Sequence, residues 1–168
     1  MQSDPKFQTF APRLFALVLD TVLLLPLAIV GELITDGITD EGYIRNVAFG
    51  LNIASILYFV LMNARFGQTV GKMLMNVKIL QPDETPIKLR HAVLRDLPQI
   101  VFAFAALVPA LMAPVSTASD PPLTGVMVLM TIWGLADIAV FFSNSKRRAL
   151  HDLIAGTIVV RIPKEDGV

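Results

Sequence analysis

Two aspartates stand inside long apolar stretches of this 168-residue chain, where a charged side chain is costly. Asp20 is the single charge of Leu14–Val30, and Asp137 is the single charge of Leu123–Phe142. A carboxylate at the centre of a membrane-spanning helix costs about 2.5–3.5 kcal/mol on insertion scales, so such a residue faces protein or water. Desolvation and mutual repulsion favour the protonated form of neighbouring carboxylates. The pattern therefore indicates a membrane-embedded site that binds a monovalent cation or carries a proton.

The spacing within the two stretches predicts that both aspartates lie at a similar depth. Asp20 lies seven residues beyond Arg13, which is about 10 Å along a helix at 1.5 Å per residue. Asp137 lies six residues before Ser143, near the end of the last stretch. If the first and last helices are neighbours, the two aspartates can share one polar site. Helical side chains lean toward the N-terminus, so Arg13 points away from Asp20, and a bridging water or another cation such as Arg95 is the better candidate for its neighbour.

The elements that must position these aspartates are four apolar stretches. Hydrophobic residues make up 54% of the chain and charged residues 17%, against about 25% charged residues in an average soluble domain. A hydrocarbon core of roughly 30 Å needs about 20 helical residues, and we predict spans at 13–31, 46–63, 97–115 and 123–142. The predicted fold class is an all-α membrane protein, a single domain over 1–168. It has four transmembrane helices, short cytoplasmic β-prone segments and an interfacial amphipathic helix.

Basic residues mark alternate connections between the predicted spans. The N-terminal segment, segment 63–96 and the tail carry nearly all lysines and arginines, whereas segments 32–46 and 116–122 carry Arg45 alone. Lysine and arginine accumulate on the cytoplasmic side, so both chain ends are predicted to be cytoplasmic. The formal net charge of zero gives no reason to expect nucleic-acid binding. The absence of cysteine excludes disulfides and cysteine nucleophiles.

The predicted cytoplasmic segments contain two candidate strands and one candidate surface helix. Residues 73–80 and 157–162 have β-favouring cores and can pair with each other. Segment 87–97 is predicted to form a helix at the membrane surface, with apolar residues toward the acyl chains and basic residues toward anionic lipid headgroups. The residues of that basic face are Lys88, His91 and Arg95. The alternative interpretation is an ordinary solvated amphipathic helix.

Three motifs, in this order, resemble the RDD family of small bacterial membrane proteins. They are Pro12–Ala16 with Asp20, then Phe66–Lys72 with Leu94–Asp96, and then Asp137 with Lys146–Thr157. The resemblance covers nearly the whole chain. It implies a multi-pass protein of the bacterial cytoplasmic (inner) membrane that transports ions or small solutes, and it implies no enzymatic activity.

The His151-Asp152 pair suggests metal or phosphohydrolase chemistry, but one such pair on a short segment offers too few ligands. The chain contains no second cluster of His, Asp or Glu, so we predict no metal site, no catalytic residue and no cofactor. The favoured interpretation is that the pair anchors the tail by capping a helix or by contacting Arg95 or Lys72. The residues expected to pair charges around the aspartate site are Arg13, Arg95, Asp96, His151 and Asp152.

The leading functional prediction is a small membrane transporter, linked to cations or protons, with its site built on Asp20 and Asp137. Four helices enclose little space, so we expect a homo-oligomer in the lipid bilayer. The alternative is a membrane scaffold or assembly factor whose basic cytoplasmic face binds anionic lipid or a partner protein. A water-accessible cavity that reaches Asp20 favours the transporter, and a dry, fully paired Asp20 favours the scaffold. Under the first interpretation, Asp20→Asn leaves folding intact and abolishes ion-coupled flux.

Overall fold

The computed structural model describes residues 4–112 and 121–163, with side chains described at 4–106 and 125–163. Within that part, a 3-10 turn at Pro5–Phe7 precedes six helices and two strands. In chain order these are α1 (Phe10–Thr35), α2 (Glu41–Phe66), α3 (Val70–Leu74), β1 (Val77–Leu80), α4 (Leu89–Met112), α5 (Pro121–Ser143), α6 (Leu150–Ile154) and β2 (Ile158–Arg161).

Among the described residues, three helical stretches are long and apolar enough to cross a membrane. They are Pro5–Thr35, Glu41–Phe66 and Gly125–Ser143. Helices α1 and α2 contain 26 residues each, about 39 Å at 1.5 Å per residue, so both extend well beyond the predicted spans. The third predicted span falls on α4, and its last residues, 113–115, lie outside the described part of the chain.

A tight turn after α2 sends the chain back against α1. Gly67 ends α2 in the left-handed region at φ 67°, and its N–H donates to the carbonyl oxygen of Asn63. Thr69 then caps α3 by accepting a hydrogen bond from the N–H of Lys72. Glycine suits position 67 for two reasons. Its positive φ would strain any residue with a side chain, and a Cβ added at Gly67 would lie 2.8 Å from the carbonyl oxygen of Ile79.

The two strands pair antiparallel, with Val77 opposite Arg161 and Leu80 opposite Ile158. A two-stranded ribbon is marginal in water on its own, and this one is supported by two buried apolar clusters. The first consists of Val77, Ile79, Ile87, Ala92 and Val159, and the second of Phe7, Ile158 and Val160. The prediction of a strand over 73–80 is wrong for its first part, because capping by Thr69 makes Val70–Leu74 a helix.

The sheet and the short helices all lie at one end of the long helices, which we call the sheet end. There α1 and α4 begin and α2 and α5 end. Helix α3 packs on α1, while α6 packs on both α4 and α5. Most of the buried residues of the described chain are at this end, so packing holds the bundle together mainly there.

The predicted surface helix over 87–97 is instead the first part of α4, which runs without interruption from Leu89. Its predicted lipid-facing basic residues are largely turned inward. His91 and Arg95 are both buried, and Lys88 alone of the three is exposed. Nδ1 of His91 accepts a hydrogen bond from the backbone N–H of Lys88 at 3.0 Å. The prediction of a basic face is therefore wrong for two of its three residues, because protein partners occupy them.

We predict that Gly71→Ala destabilises the protein, because Gly71 is where α3 approaches α1 most closely. A Cβ at this position would overlap the carbonyl oxygen of Ala16 and lie 2.9 Å from Cγ of Asp20. Forcing these elements apart is expected to cost about 1–3 kcal/mol, measured as a lower midpoint of thermal unfolding of the purified protein in detergent.

The matched control is Gly50→Ala in α2, where a Cβ meets nothing within 4 Å. Alanine is favoured over glycine in a helix interior by about 1 kcal/mol, so this variant should melt at or above the wild-type temperature. Equal melting temperatures for the two variants would contradict the close approach of α3 to α1.

Candidate functional site

The carboxylate of Asp152, on α6, is fully buried and receives two arginines. Oδ2 accepts a hydrogen bond from Nη1 of Arg13, on α1, at 2.6 Å, and Oδ1 accepts one from Nη1 of Arg95, on α4. Oδ2 also accepts from the backbone N–H of Ala149 at 3.0 Å. Burial alone would raise the pKa of Asp152, but the adjacent Arg95 and Arg13 outweigh it and hold that pKa far below its usual range.

Arg13 is held in place by further contacts at the sheet end. Its Nε donates to Oγ1 of Thr9 at 2.9 Å, and its Nη2 donates to the carbonyl oxygen of Arg147 at 3.2 Å. The guanidinium therefore points away from Asp20, as its position on a helix predicts. Arg95, which was predicted from the sequence to lie near Asp20, forms an ion pair with Asp152 instead.

Asp20 is 1% exposed and has a complete set of protein donors. Oδ1 accepts from the hydroxyl of Tyr58 at 2.8 Å and from the backbone N–H of Gly71 at 2.8 Å. Oδ2 accepts from the hydroxyl of Thr69. The carboxylate thereby joins α1 to α2 and α3. An asparagine here would place an amide donor against one of these donors, so Asp20→Asn is now expected to disturb folding.

Asp137 has a different partner and is less enclosed. Its Oδ1 lies 2.8 Å from Nδ1 of His151 and accepts the backbone N–H of the same residue at 3.1 Å. The exposed fractions of the two side chains are 21% and 25%. The pair ties α5 to α6. Within the described part of the chain, no hydrogen bond or ion pair links Asp137 to Asp20.

A fourth polar group lies between α3, α2 and α4. Nζ of Lys72 donates to Oδ1 of Asn63 at 3.0 Å, and Nδ2 of Asn63 donates to Oδ2 of Asp96 at 3.5 Å. Burial, together with repulsion from Arg95, lowers the pKa of Lys72 to about 7, although Asp96 and Asp20 act in the opposite direction. Asp96, expected to pair charges, thus meets the amide of Asn63.

Members of all four polar groups line one cavity of about 890 Å³ between α1, α2, α4 and α5. Its ionisable lining residues are Arg13, Asp20, Lys72, Arg95, Asp96, Asp137 and His151, and all of them belong to the sheet end. Most other lining residues are apolar, including Leu25 and Met130 farther along the helices. Asp20 and Asp137 therefore face the same cavity without contacting each other.

Sequence reasoning missed the partners of Asp20 and the position of Lys72. Thr69, Gly71 and Lys72 belong to the second resembling motif, but the motif does not reveal that α3 folds back onto α1. Tyr58 and Asn63 are polar residues in or beside an apolar stretch, and a polar side chain at such a position signals an interhelical hydrogen bond.

Comparison with known proteins gives one match. The model of the RDD family matches residues 7–156, which is most of the chain. Neither the curated proteins nor the solved structures compared with the chain include a match.

We predict that Asp152→Asn lowers the free energy of unfolding by about 3–5 kcal/mol, because two buried guanidiniums lose their shared counter-charge. The measurement is unfolding of the purified protein in detergent at neutral pH. The folded-state pKa of Asp152 is depressed. Its stabilising contribution is therefore present above about pH 3.9 and is lost as the pH falls below that value. The difference in the free energy of unfolding between wild type and Asp152→Asn should therefore decrease at acidic pH.

Asp36→Asn, at an exposed residue just after α1, is the matched control and should unfold like wild type. A small effect of Asp152→Asn at neutral pH, equal to that of the control, would show that the two arginines do not depend on this carboxylate.

Proposed function

Because the chain belongs to the RDD family, we propose that it is a multi-pass membrane transporter that moves a small cation or solute in a proton-linked manner. The observation that carries the proposal is the cavity of about 890 Å³, which has ionisable residues at the sheet end and apolar walls farther along. Ionisable groups that face a cavity within membrane helices are typical of ion paths and proton relays. The proposal includes no enzymatic activity.

The Asp137–His151 pair is the part of the original aspartate site that best fits exchange with solvent. Both side chains line the cavity and are partly exposed. Asp20 has three donors and is almost fully enclosed, so we assign it the role of holding α1 against α2 and α3.

We further propose four membrane crossings, with α4 as the third, and both chain ends in the cytoplasm of a bacterial inner membrane. Basic residues cluster at the sheet end, whereas the connection between α1 and α2 carries Asp36, Asp40 and Glu41. This asymmetry supports a cytoplasmic sheet end. A homo-oligomer stays a prediction.

The chain has no cysteine, so single introduced cysteines report topology without background. We predict that Thr39→Cys, between α1 and α2, reacts with a membrane-impermeant maleimide in intact spheroplasts. Ser145→Cys, after α5, should react only after the membrane is permeabilised. Both residues are exposed. The opposite pattern, or reaction of both in intact spheroplasts, would overturn the proposed orientation.

We predict that wild-type protein in proteoliposomes moves protons together with one of a panel of monovalent cations or small solutes, and that Asp137→Asn abolishes this flux. The physical reason is loss of the carboxylate that faces His151 in the cavity. A pH-sensitive dye inside the vesicles measures the flux under an imposed pH gradient.

Empty liposomes and Asp36→Asn protein are the controls, and the variant should keep wild-type flux because Asp36 is exposed and outside the cavity. Flux that persists in Asp137→Asn would remove this residue from the path. Absence of flux in wild type over the whole panel would defeat the transporter proposal.

One observation favours the scaffold as a second candidate. The carboxylate of Asp20 is enclosed and fully paired, as expected if buried polar groups only hold the bundle together. Among the residues described at the sheet end, five exposed basic residues suit an anionic lipid surface or a partner protein: Arg65, Lys88, Arg90, Lys146 and Arg161. No flux in wild type, together with tighter association with anionic than with neutral lipid, would favour this candidate.

A further inference from the structure

The amine of Lys72 is in an unusual position for a lysine. It faces the cavity from α3, and Nζ has one hydrogen-bond acceptor, Oδ1 of Asn63 at 3.0 Å. Among the described residues, no carboxylate lies within 4.0 Å of this nitrogen. An ammonium group carries three donors. Among the described residues, one of the three has an acceptor, and no carboxylate pairs directly with the charge.

The charges around Lys72 nearly balance. The neighbours that act on it are Arg13 and Asp20 from α1, Asn63 from α2, and Arg95 and Asp96 from α4. Both arginines form ion pairs with Asp152, and the carboxylate of Asp20 accepts hydrogen bonds from three donors. The remaining carboxylate, Asp96, is linked to Lys72 by hydrogen bonds through the side-chain amide of Asn63. Such surroundings neither fix the ammonium form nor exclude it.

We propose that Lys72 is a further group, beside the Asp137–His151 pair, that takes up and releases a proton in this cavity, and that Asn63 and Asp96 position it. Release converts the ammonium to a neutral amine, and the proton passes to water that enters the cavity; uptake reverses this step. The neutral amine keeps two N–H donors, so the bond to Asn63 persists in both states. The cycle therefore needs no rearrangement of the surrounding helices.

Burial and the two arginines supply the physical reason for exchange near neutral pH, because they lower the pKa of Lys72 to about 7. The inference deepens the proposed transport function and, as regards coupling, rests on it. The proton site itself can be tested without any flux.

The direct test follows the six lysines of the full chain, labelled with carbon-13 at Cε, by NMR in detergent micelles across pH 5–11. One signal is expected to titrate near pH 7, against about 10.4 for a free lysine side chain added to the same sample. That signal should vanish in Lys72→Met, or in Lys72→Gln if the first variant does not fold. Absence of any lysine signal that titrates below about pH 9 in wild type would overturn the proposal.

Two variants should shift the titration midpoint of Lys72 in opposite directions. A lysine with a structural role alone would show no such pair of shifts. Asp96→Asn removes the favourable carboxylate and should shift the midpoint to lower pH. Asn63→Asp places a carboxylate beside Nζ and should shift it upward by about one pH unit or more. The other lysine signals serve as internal controls. Shifts in the same direction, or no shift, would contradict the assigned roles of Asn63 and Asp96.

Flux then separates this inference from the transport proposal. Lys72→Arg keeps a permanent positive charge, so proton-linked flux should be lost while the protein stays folded. A midpoint near pH 7 with no flux in wild type defeats the transport proposal and leaves the proton site standing. Flux of normal pH dependence in Lys72→Arg overturns the coupling role of Lys72 and leaves transport intact.

Discussion

The structure depends above all on one buried carboxylate that serves two guanidiniums. Asp152 meets Arg13 and Arg95, from which it is separated by 139 and 57 positions in the chain. The three side chains thereby fasten the tail to the beginnings of α1 and α4. Breaking one member of such a buried group leaves an uncompensated charge, which is far more costly than never having placed it there. The arrangement thus fixes the positions of α1, α4 and α6 relative to one another, which the hydrophobic effect alone would not do.

The carboxylates at the sheet end form a graded series. Asp152 is completely enclosed and bonded to two cations, Asp20 is enclosed among neutral donors, and Asp137 is partly exposed beside a histidine. Enclosure and three hydrogen-bond donors each fix the geometry of Asp152 and Asp20, so these two groups hold neighbouring elements together. Asp137 keeps part of its surface open to the cavity beside His151. The position of an acid inside an apolar stretch therefore does not predict how far the folded protein encloses it.

The long apolar runs made the helices α1, α2 and α5 predictable, since their composition leaves few other solutions in a membrane. The β-branched cores of the two strands also sufficed to indicate the strands and their pairing. The sequence could not reveal α3, because five residues carry no periodicity and the helix depends on the cap by Thr69 and the turn at Gly67. It misplaced His91 and Arg95 for a related reason: an amphipathic pattern shows that two faces differ, whereas tertiary partners decide which face turns inward.

Among the described residues, the polar contacts and the buried apolar clusters that join the long helices are concentrated at the sheet end. Salt bridges, the sheet and the two buried clusters all lie where α1 begins and α2 ends, while few described residues beyond the cavity are enclosed. Helices joined in this way are held in register at the sheet end, whereas fewer described side chains fix the separation of the cavity walls farther along. The apolar part of the cavity is therefore the part whose width the described contacts constrain least.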